Sequence, residues 1–277
     1  MPGRRALAQP AQLDSYVLHR YDWSESSLIL DVFTRERGRL AVIAKGAKRP
    51  TSQLRSVLMP FQCVQLTLAR QAVDEQGEIH VLRHAEWLGG GPVMPAASLF
   101  QGFYLNELLM KLLARNDAHA ALFDAYAATL PALAHGDEAL AQAGLRAFEL
   151  RLLSETGVLP DLSVTTVGHQ ALQPGQAYLL RPEVGLVPAT EAGAPGLLSG
   201  ELRALQAALE GPSARALQIA CAACLPALRP MLRHWLHYHL GTTTLRTRDV
   251  MQSLQRLMDP ATRRPAESPR PRPRPSP

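Results

Sequence analysis

The sequence predicts an α+β fold, in which a small five-stranded barrel precedes an all-α domain with an irregular insert. Five short segments within residues 13–90 alternate apolar and polar side chains with the two-residue period of a half-buried strand. A glycine run and Pro92 then interrupt the chain, and the apolar residues after them recur at helical spacing. The helical domain is therefore expected over residues 95–258, with the insert at about 158–196, where glycine and proline are frequent.

The predicted strands cover residues 16–19, 28–34, 40–44, 61–69 and 79–84. The second shows the alternation most clearly, because Leu28, Leu30 and Val32 fall on one face. It leads into a tight, charged turn in which Gly38 can adopt a positive φ. Five short strands without a helical pattern fit a closed barrel of the OB type, and a fragment of a β-sandwich fits the pattern nearly as well.

The predicted helices cover residues 98–115, 118–133, 137–156, 199–210, 213–223, 226–240 and 248–257. Ser98, Asp137 and Ser199 are expected to be N-caps, because their side-chain oxygens can accept from the free N–H groups of a first turn. Within the insert, two short β-like pieces predict one hairpin, at residues 177–180 and 185–187. Residues 1–12 are expected to be a flexible lead-in, and residues 259–277, rich in proline and arginine, a disordered tail.

Composition and cysteine content indicate a protein of a reducing compartment. The chain is 47% hydrophobic and 19% charged, and its three cysteines are too few for a disulfide framework. The amino terminus lacks the apolar segment of a signal peptide, and the longest mostly apolar run is too short to span a bilayer. We therefore expect a cytoplasmic protein without a membrane partner.

Positive charge is concentrated between residues 35 and 55. Seven cationic residues and one acidic residue give this stretch a net charge of +6, in a chain whose net charge is +5. Such a focused field on a small β-domain is typical of proteins that bind polyanions, and the alternative is a solvated hairpin on a basic protein. The candidate phosphate-contacting residues are Arg35, Arg37, Arg39, Lys45, Lys48, Arg49 and Arg55.

Aromatic side chains near these strands could stack on nucleobases. Each of them would also suit packing in a core. The candidates are Tyr16, His19, Tyr21, Trp23 and Phe33.

A second candidate site lies on the helix predicted at residues 226–240. Arg229 and Arg233 are four residues apart and neighbour Leu232, Trp235 and Leu236. An acidic peptide that ends in apolar residues requires this mixture of rim cations and an apolar slot. A solvated helix face packed on its neighbour is the competing interpretation.

Motifs for catalysis or metal binding are weak. The pairs Cys221/Cys224 and His234/His237 have ligand-like spacing, but the cysteines fall in a helical run rich in Ala and Leu, where small buried thiols are common. The glycine run at residues 89–91 lacks the Lys and Ser/Thr of a phosphate loop. Acidic residues near the barrel, such as Asp31, do not obviously converge on a metal. The sequence therefore predicts no catalytic site, no metal and no cofactor.

Several blocks of sequence resemble the RecO family of recombination-mediator proteins. They are residues 23–49 (WSESSLILDVFTRERGRLAVIAKGAKR), 104–109 (YLNELL), 122–126, 146–150 (RAFEL) and 239–248. The resemblance implies an OB-fold followed by a helical domain, with the cations above contacting single- and double-stranded DNA. It also implies annealing of complementary strands, and partnership with RecR and with the C-terminal tail of single-strand-binding protein (SSB), so that RecA can load. It implies no catalytic site and a location at the nucleoid.

The insert departs from the pattern of many family members, which carry a four-cysteine zinc site there. Residues 160–195 contain no cysteine and a single histidine, His169. Four tetrahedral ligands cannot be assembled from these residues, so we expect a zinc-less insert. The alternative to the RecO-like function is an RNA-binding OB-fold protein that acts on ribosomes or transcripts.

Overall fold

The amino-terminal strands close into a five-stranded barrel. The computed structural model describes residues 12–72, 78–189, 196–241, 245–247, 249–251 and 253. The barrel strands are Gln12–Asp22 (β1), Leu28–Thr34 (β2), Gly38–Ala44 (β3), Cys63–Ala72 (β4) and Ile79–Trp87 (β5). Their order is β1-β2-β3-β5-β4, with β4 returning to β1; β3 and β5 pair in parallel, and the other pairs are antiparallel. The predicted OB-type barrel is confirmed.

The first strand is longer than predicted because it pairs with two neighbours. Its first half, from Gln12 to Tyr16, pairs with β4, and the stretch from Ser15 to Asp22 pairs with β2. The register with β2 shifts between Val17 and His19, a bulge that bends the strand from one partner to the other. One continuous strand therefore closes the barrel.

Every second side chain of the strands points into the barrel, and most of these inward side chains are aliphatic. The inward residues Leu30, Val32, Leu40 and Val42 are fully buried. A short helix that the sequence analysis missed, Leu54–Val57 (α1), lies between β3 and β4 and packs against this core. At four residues it is too short to show a helical period.

The helical domain contains Ala96–Leu112 (α2), Ala120–Ala134 (α3), Glu138–Glu155 (α4), Ser199–Glu210 (α5), Ala214–Ala223 (α6) and Leu225–Leu240 (α7). The predicted cap at Asp137 is confirmed, because its side chain accepts from the N–H groups of Ala139 (2.8 Å) and Leu140 (3.2 Å). The predicted caps at Ser98 and Ser199 are wrong. The Ser98 hydroxyl donates to the Leu133 carbonyl (2.7 Å), and Leu198 holds the N-cap position before Ser199.

The insert contains the predicted hairpin and one further strand. Ala177–Arg181 (β6) pairs with Gly185–Pro188 (β7) on one side and with Leu197–Leu198 (β8) on the other. Buried Tyr178 and Leu180 face the helices, and the insert packs against α7 through β6.

The described residues after α7 continue helically at 246–247, 249–251 and 253. The predictions for residues 1–11, for residues 254–257 of the last predicted helix and for the tail at residues 259–277 lie outside the described residues. In the part of the chain that the structure describes, no helix is long and apolar enough to cross a membrane.

The outer face of the barrel packs on α2 and α3, so the two parts share one core. Tyr16 contacts Phe123 and Tyr126, with ring centroids 5.2 and 4.8 Å apart, and Phe33 lies 5.5 Å from Phe123. Asn106 on α2 donates to the Leu18 carbonyl (3.0 Å) and accepts from the Tyr126 hydroxyl. The barrel is therefore fixed against the helices by apolar contact and buried hydrogen bonds.

The β2–β3 hairpin is part of the same contact. Gly38 has a φ of +68°, and an added Cβ would collide with the carbonyl oxygen of Asp117, in the loop between α2 and α3. Only glycine satisfies both the left-handed backbone and the close approach.

Candidate nucleic-acid interface

The cationic stretch is divided by the strands that it spans. β2 and β3 pair along their whole length, from Leu28 with Ala44 to Thr34 with Gly38. Arg35 and Arg37 therefore lie at one end of the hairpin and the loop from Lys45 to Arg49 at the other, about 20 Å away for a seven-residue strand. The seven cations do not form one continuous edge.

Arg39 lies between the barrel and the helical domain. Its Nε and Nη2 donate to the two carboxylate oxygens of Asp31 at 2.8 and 3.2 Å, and Nη1 donates to the carbonyls of Met110 and Leu113 at the end of α2. The side chain is only 15% exposed. Arg39 was among the residues predicted to contact DNA. In the structure it lies at the interface between the barrel and the helical domain, and its guanidinium donates to internal partners.

Arg35 and Arg37 are near the surface at the turn between β2 and β3, where Arg35 contacts α3 and Arg37 contacts β5. Arg35 donates to both carboxylate oxygens of Asp124, at 3.0 and 2.9 Å, and both side chains of this pair are exposed. The Arg37 guanidinium lies 3.3 Å from the His80 ring. A phosphate at this end of the hairpin would compete with Asp124 for Arg35.

Lys48 and Arg55 meet at the opposite end of the barrel, beside a cleft of about 700 Å³ that we call the basic cleft. Arg20 joins them from the end of β1, and it was not among the predicted residues. The cleft is lined by Arg20, Asp22, Leu28, Ala47, Lys48, Leu54, Arg55, Leu58 and Met59. Three cations and one carboxylate leave it positively charged.

The loop that carries Lys45, Lys48 and Arg49 is anchored at both its side chains and its backbone. Ala47 is fully buried in the barrel core, so the loop cannot lift away without exposing it. The Lys48 N–H donates to the Ser26 carbonyl (2.9 Å) and the Arg49 N–H to the Gly46 carbonyl (3.1 Å). The cations are therefore held in place before any ligand arrives, which lowers the entropic cost of binding.

Lys48 is only partly committed to internal partners. Its Nζ lies 3.2 Å from a carboxylate oxygen of Asp22 and 2.9 Å from the Ser24 carbonyl. Asp22 is largely exposed, and exposed ion pairs contribute about 0–1 kcal/mol, so a phosphate can replace it. Lys45 and Arg49 are exposed on the same loop.

The structure separates the five candidate stacking rings into two groups. Tyr16 and Phe33 are buried against α3 and cannot reach a base. Tyr21 is 45% exposed and Trp23 62% exposed, and the His19 and Tyr21 rings lie 4.4 Å apart. These three residues lie at the end of β1 that leads to the basic cleft, where Arg20 and Asp22 alternate with them.

Arg229 and Arg233 line a second cavity, of about 420 Å³, that we call the arginine pocket. Its walls come from α2, α4, α7 and the later residues Leu245, Thr247 and Met251, and its apolar lining includes Phe100, Leu145 and Leu236. Arg146 on α4 also lines it, although the sequence analysis did not single it out. The pocket thus combines three arginines and one acid, Glu138, with apolar walls.

A buried carboxylate lies beneath this pocket. Glu149 accepts from Arg146 (2.7 Å) and from the Tyr104 hydroxyl (2.6 Å), and it is fully buried. Burial raises the pKa of Glu149, and the positive charges of Arg146, Arg233 and Arg229 partly offset the rise. The three arginines are therefore close enough to Glu149 to interact electrostatically with its carboxyl group, and Arg146 contacts it directly.

Two family models together match most of the chain. The model for the N terminus of Recombination protein O matches residues 9–90, and the model for its C terminus matches residues 98–249. The chain belongs to the RecO family.

Individual RecO proteins are similar over nearly their whole length. A DNA repair protein RecO from Polaromonas naphthalenivorans is 48% identical over 259 residues, covering 93% of this chain and 100% of the relative. One from Variovorax paradoxus is 49% identical over 253 residues, covering 88% and 96%. One from Acidovorax ebreus is 46% identical over 269 residues, covering 93% and 100%.

In this RecO family member the thiols are inert core groups. Cys221 is fully buried and Cys224 almost so, and burial raises the pKa of Cys224 to about 11. A thiol with a raised pKa is a poor nucleophile and metal ligand. Across the described ranges, no group of three or more His, Cys, Asp or Glu side chains is placed to hold a metal ion.

Proposed function

We propose that this RecO family member is a DNA repair protein that binds single- and double-stranded DNA through its barrel and anneals complementary strands. With RecR, it would help load RecA on single-stranded DNA coated with SSB. The observation that carries the DNA-binding part is the basic cleft, where Arg20, Lys48 and Arg55 converge at the mouth of the barrel. We further propose that it is not an enzyme, needs no cofactor and acts in the cytoplasm at the nucleoid.

The physical basis of DNA binding is the release of counterions from the phosphate backbone. Each cation that neutralises a phosphate frees condensed counterions, and this favourable term does not depend on base sequence. The exposed rings of Tyr21 and Trp23, which are next in sequence to the cleft residues Arg20 and Asp22, suit a single strand, whose bases are free to stack. Sequence-independent binding of two strands by the same protein would bring them close enough to pair.

The arginine pocket would dock the acidic C-terminal tail of SSB. The guanidinium groups of Arg229 and Arg233 would pair with carboxylates, and the apolar walls would take the apolar end of the tail. Such a tether raises the local concentration of the barrel at coated strands. The partnership with RecR rests on the family resemblance, without an assigned surface.

Competition binding tests the DNA function against the RNA alternative. Single-stranded DNA and RNA of equal length and sequence would be titrated against one labelled DNA strand. We expect DNA to compete at least as well as RNA, and annealing of coated strands to require SSB with an intact tail. A clear preference for RNA, without annealing activity, would favour the ribosome- or transcript-binding alternative.

Replacing both Arg229 and Arg233 by Ala is expected to weaken binding of an SSB-tail peptide by about ten- to a hundredfold. Charge-assisted hydrogen bonds contribute roughly 1.5–3 kcal/mol each, and some of this is lost to screening at the pocket rim. Fluorescence anisotropy with a labelled tail peptide measures the change.

The matched control for this variant is Arg181→Ala with Arg215→Ala, which removes two exposed arginines outside both sites. We expect this control to bind the peptide normally, and both variants to bind DNA normally. Equal weakening by the control would mean that net charge, and not the pocket, attracts the tail.

A further inference from the structure

The carboxy-terminal segment forms one wall of the arginine pocket. Leu245, Thr247 and Met251 line the cavity together with Arg229 and Arg233. Leu245 is buried in the common core of the helical domain, whereas Met251 is partly exposed. The pocket therefore depends on where this segment lies.

Glu107, on α2, holds the segment at its first helical turn. One carboxylate oxygen accepts from the Arg246 N–H (2.9 Å), and the other accepts from the Thr247 N–H (3.0 Å) and hydroxyl (2.7 Å). Lys111 lies 3.5 Å from the same carboxylate. Free N–H groups at a helix start favour a negative partner, and here that partner comes from a distant helix.

The carboxylate is buried yet ionised. Glu107 is 6% exposed. Burial pushes the pKa of Glu107 upward, but the hydrogen bonds from Thr247 and Arg246 outweigh it and hold the pKa below its ordinary value. The negative charge is therefore present at neutral pH, and three donors from one short segment converge on it.

We propose that Glu107 is a positioning residue for the arginine pocket: it holds Arg246 and Thr247 in place, and with them the wall that Leu245, Thr247 and Met251 form. This inference rests on the proposed docking function of the pocket. Glu107 itself does not line the cavity, so it acts on a bound acidic peptide through Thr247 and Met251. A peptide that contacts this wall is therefore expected to bind more weakly when Glu107 no longer holds the wall in place.

The test is a double-mutant cycle on peptide affinity in the full chain. The probe is a short labelled peptide, rich in Asp, that ends in Phe with a free carboxylate. Glu107→Ala is expected to weaken its binding about tenfold, and Met251→Ala a few-fold. In the Glu107→Ala background, Met251→Ala is expected to have no further effect, because the wall has already moved away.

Controls separate positioning from loss of fold. Glu107→Gln keeps the shape and one acceptor oxygen, so an intermediate loss of affinity is expected. Glu210→Ala removes an exposed acid on α5 and is expected to change nothing. DNA affinity should be unchanged in all variants, which shows that the barrel and its support remain folded.

Amide hydrogen exchange measured without peptide tests whether Glu107 holds the segment, independently of the proposed docking function. Faster exchange at Arg246 and Thr247 in Glu107→Ala is expected. If the unmodified protein binds no peptide, the docking function fails, while the exchange data still decide whether Glu107 holds the segment. Additive effects of Glu107→Ala and Met251→Ala on peptide affinity, or unchanged exchange, would overturn the proposal.

Discussion

Replacement of Arg39 by Ala is expected to lower the free energy of unfolding by about 3–5 kcal/mol, the cost of breaking a buried ion pair from one side. The partner, Asp31, is 2% exposed and would keep Arg115, 3.7 Å away, as a cationic neighbour. The carbonyls of Met110 and Leu113 would also lose their shared donor. Both losses weaken the contact between the barrel and α2.

Chemical denaturation of the full chain measures this change. Arg35→Ala is the matched control, because it breaks a bidentate pair that is exposed, and the expected cost is at most about 1 kcal/mol. Arg39→Lys should fall between the two, since an ammonium cannot reach Asp31 and both carbonyls in the same geometry. A loss below about 1 kcal/mol for Arg39→Ala would show that the domain contact does not depend on this arginine.

Replacement of Lys48 and Arg55 together by Ala is expected to weaken binding of single-stranded DNA by about tenfold or more at low salt. The two side chains supply most of the positive charge of the basic cleft, and each lost phosphate contact removes its share of counterion release. Both residues lie on surface segments, so thermal stability should be nearly unchanged. Binding is measured by anisotropy of a labelled strand, and tail-peptide binding serves as a test of folding.

The periodic parts of the fold were predictable. β2 was predicted with its observed bounds, because Leu28, Leu30 and Val32 recur at every second position and the segment ends at a polar turn. The cap at Asp137 was predictable for a similar reason, since its effect is local to one turn of helix. Local patterns of this kind are set by neighbours in sequence.

Residues whose role depends on distant partners were not predictable. Arg39 contacts Asp31 through strand pairing, and it also contacts carbonyls about seventy residues along the chain. Alternation placed Phe33 on the outer face of the barrel but could not show that α3 covers that face. The same limitation applies to the positive charge concentrated between residues 35 and 55, because only the strand pairing shows that β3 separates its two ends.

Arg20 was missed for a different reason. It stands alone in a strand of mostly apolar and aromatic residues, and no charge cluster marks it in the sequence. The bulge between Val17 and His19 changes the register of β1, and Arg20 then lies beside the loop after β3. Only the closed barrel brings it next to Lys48 and Arg55.

The salt dependence of DNA affinity tests the central claim most directly. For the unmodified protein, the slope of the logarithm of the association constant against the logarithm of salt concentration should be roughly −3 to −5 for single-stranded DNA. In the variant with Ala at positions 48 and 55, the slope should become less steep by about 1.4, while Arg181→Ala with Arg215→Ala should leave it unchanged. Equal slopes in all three proteins would contradict the assignment of the basic cleft as the phosphate-binding surface.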